Sequence, residues 1–201
     1  MFTGDMNMTS DRPEYGSSLL LNKDEMPLFI EAALELPRLR DQALCLLIFF
    51  TGCRPSEASQ IKPDSLIPDR FMVEFPTLKQ RQKIIPTRRV HVPEYLMTML
   101  LSLCSGDLRI FPLGRTRVYQ IVKDCMNRAG LAGKKANSRG LRRSYVTGNI
   151  LSQTPLPDIQ KRAGHARIES TLRYVHLVDE ETRSYAENFW DFATTGAIPK
   201  E

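Results

Sequence analysis

Between Asn137 and His176 the sequence sets the closely spaced Arg139, Arg142 and Arg143 ahead of a Gly164-His165 pair and a tyrosine, Tyr174, nine positions beyond that histidine. An oxygen nucleophile cleaves a phosphate diester only where the charge growing on the non-bridging oxygens is neutralised, and the planar forks of guanidinium groups are the side chains best shaped for that task. Arg142 is the first candidate. A tyrosine hydroxyl, with an ordinary pKa of about 10, becomes a usable nucleophile when neighbouring cations favour its ionised form, and Tyr174 would sit near several.

Further residues of the same kind lie upstream. Thr51-Gly52-Cys53-Arg54-Pro55-Ser56-Glu57 follows an apolar run, and Lys79 lies in a polar stretch between two alternating segments. Arg139-Gly140-Leu141-Arg142, Gly164-His165 and Tyr174 complete the series. In this order the motifs resemble those of the tyrosine recombinase family, the phage integrases and their plasmid and chromosomal relatives. That family carries an arginine in a T-G-x-R-x-x-E context, a lysine in a β-hairpin, then (H/K)-x-x-R, G-(H/W) and a tyrosine about nine residues on. The resemblance runs from roughly Asn22 to Phe192. One position departs from it: Arg139 stands where His or Lys is usual.

The resemblance implies a site-specific DNA recombinase with a catalytic set of Arg54, Lys79, Arg139, Arg142, His165 and Tyr174. Tyr174 would attack a scissile phosphate, leaving a 3′-phosphotyrosyl link and a free 5′ hydroxyl. Lys79, by its context in Leu78-Lys79-Gln80-Arg81, is the first choice to protonate the leaving oxygen, and Lys83 the second; a long side chain with a transferable proton is needed there, which arginine does not supply. Arg54, Arg142, His165 and Arg139 would stand in for a metal's charge, so neither a metal nor another cofactor is implied. The implied partners are double-stranded DNA and further copies of the chain, a homo-oligomer assembled on DNA. Two other readings share these residues. A type IB topoisomerase would rejoin the same strand, and a DNA-binding relative that has lost catalysis is suggested by Arg139, since a guanidinium does not exchange protons as His or Lys does.

The bulk composition is compatible with this. With 201 residues and 42% hydrophobic content the chain can bury a core. A net charge of +5 suits a polyanionic partner and also many proteins that never meet one. Cys45, Cys53, Cys104 and Cys125 are widely spaced and form no C-x-x-C pair, which indicates ordinary thiols in a reducing compartment and neither a zinc site nor a disulfide framework. Met1 to Ser18 is polar, with no signal-peptide pattern, and the apolar run Ala43 to Phe50 is too short to span a bilayer. The expected location is cytoplasmic, with no membrane contact.

The elements that would position these residues follow from periodicity. Residues 1–18 read as a flexible tail, 19–192 as the tyrosine recombinase catalytic domain and 193–201 as a second tail. Asn22 and Glu25 form a reciprocal cap ahead of a helix with Met26, Phe29, Ile30 and Ala33 on one face. Arg38 to Phe50 predicts a second helix, apolar all round in its far half and therefore buried. Gly52 would close it, and Pro55 would open a short helix to Ile61, placing Arg54 on a rigid bend with Glu57 as its orienting partner. Phe71–Phe75 and Arg89–Val92 alternate like paired strands around a cationic tip. Glu94–Leu103, Arg115–Ala129, a helix with Ser138 as its N-cap, and Leu156–Ala163 complete the helices before Tyr174, with Leu108–Phe111 as a short extended piece. Arg115 and Arg117 on one helix, and Lys134 and Lys135 in a mobile basic loop, would contact the DNA backbone together with Lys83. Asp179–Phe192 predicts an acidic amphipathic helix with Tyr185, Phe189 and Trp190, which would either pack on their own domain or, as the resemblance implies, dock on a neighbouring subunit. The fold class that follows is α+β, mainly helical, with one small antiparallel sheet.

Overall fold

The computed structural model describes residues 19–76, 87–106 and 108–175. The two tails, the hairpin tip with Lys79 and Lys83, and the helix expected over Asp179–Phe192 lie outside the described residues.

The fold is mainly helical with one small antiparallel sheet. In chain order come α1 (Glu25–Leu34), α2 (Leu39–Thr51), α3 (Pro55–Ala58), β1 (Leu66–Ile67), β2 (Met72–Pro76), β3 (Thr87–His91), α4 (Glu94–Ser102), α5 (Arg115–Arg128), α6 (Ser138–Leu151), α7 (Leu156–Ala163) and α8 (Glu169–Val175). The sheet order is β1-β2-β3, with Val73 opposite Val90 and Phe75 opposite Arg88.

At the centre lies α2. Leu44 to Ile48 are fully buried in a row, so the helix is enclosed on every side, as its uninterrupted apolar run requires. α1, α4, α5 and α6 pack around it. α5 turns Val118, Ile121, Val122, Cys125 and Met126 inward and leaves Arg115 and Arg117 exposed. A second, smaller apolar cluster of Val146, Ile150, Ile159 and Ala163 joins α6 to α7, with Tyr174 packed against it.

The local signals act much as their chemistry demands. Asn22 and Glu25 cap each other: the Glu25 N–H donates to Asn22 Oδ1 at 2.9 Å and the Asn22 N–H to Glu25 Oε2 at 3.0 Å. Three expectations need correction. The N-cap of α6 is Asn137, whose Oδ1 accepts from the N–H groups of Arg139 and Gly140, and Ser138 is the first helical residue. α3 stops at Ala58, short of Ile61, since Gln60 and Ile61 are drawn into tighter turns by N–H bonds to the carbonyls of Glu57 and Ala58, three residues back. The segment read as a mobile loop holds a 3₁₀ turn over Gly133–Lys135 and is tied to α1 by an ion pair between Lys135 and Glu25. Leu108–Phe111 joins no strand; the Ile110 N–H donates instead to the Ile61 carbonyl. Among the described residues no helix is long and apolar enough to cross a membrane.

Candidate active site

The site forms where the C-terminal ends of α2 and α7 meet. Both helices end on a glycine in the left-handed region, Gly52 at φ 58° and Gly164 at φ 66°, a conformation that costs an L side chain about 1 kcal/mol or more. Close neighbours enforce the same choice. A Cβ on Gly52 would lie 2.5 Å from a ring carbon of Tyr145, and one on Gly164 would lie 3.0 Å from Arg88 Nη1. The sharp bend after each helix therefore delivers the next polar residues, Arg54 and His165, into a common space.

Arg142 of α6 fastens the two ends together. Its Nη1 donates to the Gly52 carbonyl and its Nη2 to the Ala163 carbonyl, each at 2.6 Å. These are unpaired carbonyls at the negative ends of two helices, where a cation is favoured. Burial lowers the Arg142 pKa to about 10, and the Arg54 and Arg88 cations act in the same direction, opposed by Glu57 and Tyr174. Arg139, one turn earlier, is exposed and has no side-chain partner among the described residues. The i, i+3 spacing of the two arginines thus separates them by depth: one faces the core, the other the surface.

Glu57 is the only carboxylate bonded within this cluster among the described residues. It is fully buried and accepts from three groups: Arg54 Nη1, the Arg54 backbone N–H and Arg88 Nη2, all at 2.7 Å. Burial pushes its carboxyl upward, but the hydrogen bond and charge of Arg88, reinforced by Arg54, hold it below the ordinary carboxylate value. Arg88 in turn donates from Nε to the Arg162 carbonyl at 2.8 Å and lies over the Phe75 ring at 5.1 Å. Sequence reasoning missed Arg88. Its signal was present: counting back by twos from the inward Val92 and Val90 along β3 puts position 88 on the buried face.

His165 follows Gly164. Its Nδ1 lies 2.9 Å from the hydroxyl of the fully buried Thr171, and its ring is parallel to that of Tyr174, with centroids 6.1 Å apart. Burial pushes the imidazole pKa down to about 4, aided by Arg142, Arg54, Arg88 and Arg173. Near neutral pH the ring is therefore uncharged and carries one N–H. No spacing rule pointed to Thr171, whose burial depends on how α8 folds back over α6 and α7.

The structure thus brings Arg54, Arg142, His165 and Tyr174 together and adds Glu57, Arg88 and Thr171. Arg115, Arg117 and Lys134 are exposed, and no hydrogen bond or ion pair among the described residues joins them to the cluster; Lys135 is held by Glu25. Several guanidinium groups and one carboxylate leave an excess of positive charge at a partly enclosed spot beside a phenol. An anion arriving there would relieve the repulsion that already lowers the Arg142 pKa.

Known proteins share this arrangement of chain and fold. A sequence profile for the phage integrase family matches residues 20–181. The chain is 30% identical to the tyrosine recombinase XerC of Xylella fastidiosa strain M23 over 171 residues, 79% of this chain and 56% of that protein. It is 23% identical over 179 residues to the tyrosine recombinase XerH of Campylobacter jejuni, covering 83% of this chain and 51% of that one. The chain therefore spans about half the length of the curated relatives it matches. In three dimensions it is similar to the XerH site-specific recombinase crystallised on a palindromic difH substrate after cleavage, with a TM-score of 0.71, 22% identity, and coverage of 87% of this chain and 54% of that one. The catalytic domain of bacteriophage HP1 integrase is similar at a TM-score of 0.59 and 18% identity, with 83% of this chain laid over 94% of that domain. From the motifs, the clustered site and the match over residues 20–181, it follows that the chain belongs to the phage integrase family.

Proposed function

We propose that residues 19–192 form the catalytic domain of a site-specific DNA recombinase that breaks and rejoins double-stranded DNA through a tyrosine-linked intermediate. The observation that carries this is the cluster of Arg54, Arg142 and Arg88, only partly offset by Glu57, beside Tyr174 and a neutral His165. The relatives named tyrosine recombinases support the same reading.

In this mechanism Arg54 and Arg142 bind the non-bridging oxygens of one phosphate and stabilise the charge that grows as the Tyr174 oxygen attacks phosphorus. Arg54 holds its direction because Glu57 takes one of its Nη groups and its backbone N–H. With the Thr171 hydroxyl donating to Nδ1, His165 presents Nε2–H as a further donor to the same phosphate. The bond from phosphorus to the 5′ oxygen breaks, and Lys79, or Lys83 in its place, supplies the proton to the leaving hydroxyl. A 5′ hydroxyl from another strand then attacks the phosphotyrosine, so the diester energy is conserved. Arg139, exposed one turn before Arg142, is a further donor toward the same phosphate, Arg115, Arg117 and Lys134 contact the DNA backbone outside it, and several copies of the chain assemble on paired sites.

The decisive experiment uses a pool of nicked duplexes with randomised flanking sequence and selects for protein-linked 3′ ends. The wild-type chain is expected to yield such adducts, and Tyr174→Phe none, while still shifting the recovered duplex in a native gel. Adducts from the phenylalanine variant would overturn Tyr174 as nucleophile.

A further inference from the structure

We infer that Arg88 is a positioning residue for cleavage, a buried fork that ties the hairpin strand β3 to both the bend bearing Arg54 and the bend bearing His165. The inference rests on the proposed reaction.

Four observations converge on it. Arg88 is only 4% exposed although it lies on a three-stranded sheet whose outer residues are open. Its guanidinium is used in two directions at once: Nη2 donates to Glu57, which fixes Arg54, while Nε donates to the Arg162 carbonyl, one residue before the carbonyl that Arg142 holds. Its guanidinium lies over the Phe75 ring, and a Cβ on Gly164 would come within 3.0–3.1 Å of Nη1, Cζ and Nε, so that a side chain at 164 would force the fork to give way. Lastly, Nη1 is buried with no hydrogen-bond partner. A fold selecting only for stability would place an apolar side chain there, since a buried pair of charges often gains nothing over well-packed hydrocarbon and an unmet donor is a further cost. The planar fork is what the position uses: no other side chain reaches a carboxylate and a carbonyl on divergent lines while remaining thin enough to lie beneath a glycine.

Among the described residues Arg88 makes no hydrogen bond to Tyr174. Its effect is transmitted, setting the direction of Arg54 through Glu57 and the height of Gly164-His165 through α7. Displacements of about 1 Å at such groups are expected to slow chemistry about 100-fold.

The test uses Arg88→Lys, which keeps the charge but replaces the fork by one point, on the duplex recovered from the selection above. Covalent capture at saturating DNA is expected to fall about 100-fold, with the Kd for DNA changed less than about threefold. A wild-type capture rate, or a loss confined to Kd, would overturn the inference. If the lysine variant does not fold, the double variant Arg88→Met/Glu57→Gln removes both buried charges together and strands neither; wild-type capture by that protein would equally overturn it. Should the wild-type chain itself form no adduct, the reaction proposed above fails while the geometry stays testable. NMR spectra of the free proteins are then expected to show the His165 ring resonances moved by Arg88→Lys, with those of His91 in place. Unmoved His165 resonances would refute the positioning role.

Discussion

Arg54 and Arg142 are proposed to share one phosphate, yet they are built into the protein in opposite ways. Arg142 is 9% exposed and bridges two helix ends, whereas the Arg54 side chain is 27% exposed and bonds to a neighbour three residues away. Truncating either to alanine should abolish most covalent capture, but only Arg142→Ala should lower unfolding free energy markedly, by about 3 kcal/mol, because it strips two charged hydrogen bonds from buried carbonyls. Arg54→Ala leaves Glu57 paired with Arg88 and should cost about 1 kcal/mol. Urea midpoints of the two variants measure the contrast. His165 adds a pH dependence. Its folded pKa of about 4 lies below its ordinary 6.5, so above 6.5 neither state binds the proton and nothing is lost. Between about 6.5 and about 4 the unfolded chain takes up a proton that the folded chain refuses, and stability falls as the pH falls. Melting curves of wild type and His165→Gln should accordingly differ in slope across that window and run parallel above it. Arg54, Arg142, His165 and Tyr174, which the structure brings together, were legible in the sequence as motif and spacing. Arg88 and Thr171 were not named, since a buried arginine in a strand reads as surface charge until the strand's inward phase is counted, and a threonine's hydroxyl is indistinguishable by type from dozens of ordinary helix contacts.

Helices were the most readable elements: α5 carries an apolar stripe over 14 residues that only the helical period fits, and the apolar run of α2 lies in a 13-residue segment too long for a strand. Boundaries were less so. Asn137 and Ser138 are both good caps by type, and the choice between them is made by where Lys134 to Ala136 turn, a matter of tertiary context. Asn137→Ala is therefore expected to cost about 1 kcal/mol of stability in urea unfolding, and Ser138→Ala a few tenths. The strand β1 is two residues long and has no alternation to detect. Lys79 and Lys83 fall between β2 and β3, outside the described residues, and the two candidates are separated by chemistry: Lys79→Ala should lose capture that a 5′-thio leaving group restores, because a thiolate departs without a proton. Lys83→Ala should lose less and show no such rescue. Restoration in the Lys83 variant alone would exchange the two roles.

At the scale of the molecule, the contacts that make the site are long in sequence. Leu21 N–H meets the Ser144 hydroxyl across 123 positions, Arg142 meets Gly52 across 90 and Arg88 meets Arg162 across 74. Removing residues after Val178 leaves all of these in place. Such a truncation is expected to retain binding to a single half-site with little change in melting temperature, and to lose cooperative assembly on paired sites in native gels if Tyr185, Phe189 and Trp190 dock on a neighbouring copy. A marked fall in melting temperature with assembly intact would assign those aromatics to their own domain. The long separations bear also on safety. In a chain that the proposed reaction would let break DNA, synthesis from the N-terminus delivers Arg54 well before Tyr174, and no nascent fragment shorter than 174 residues holds both the anion clamp and the nucleophile. Closing loops of this length is slow and comes with the final collapse, so cutting power arrives in one step with the finished fold and departs with it: in a urea titration, covalent capture and helical signal should disappear at one midpoint, leaving no half-melted species able to nick a chromosome.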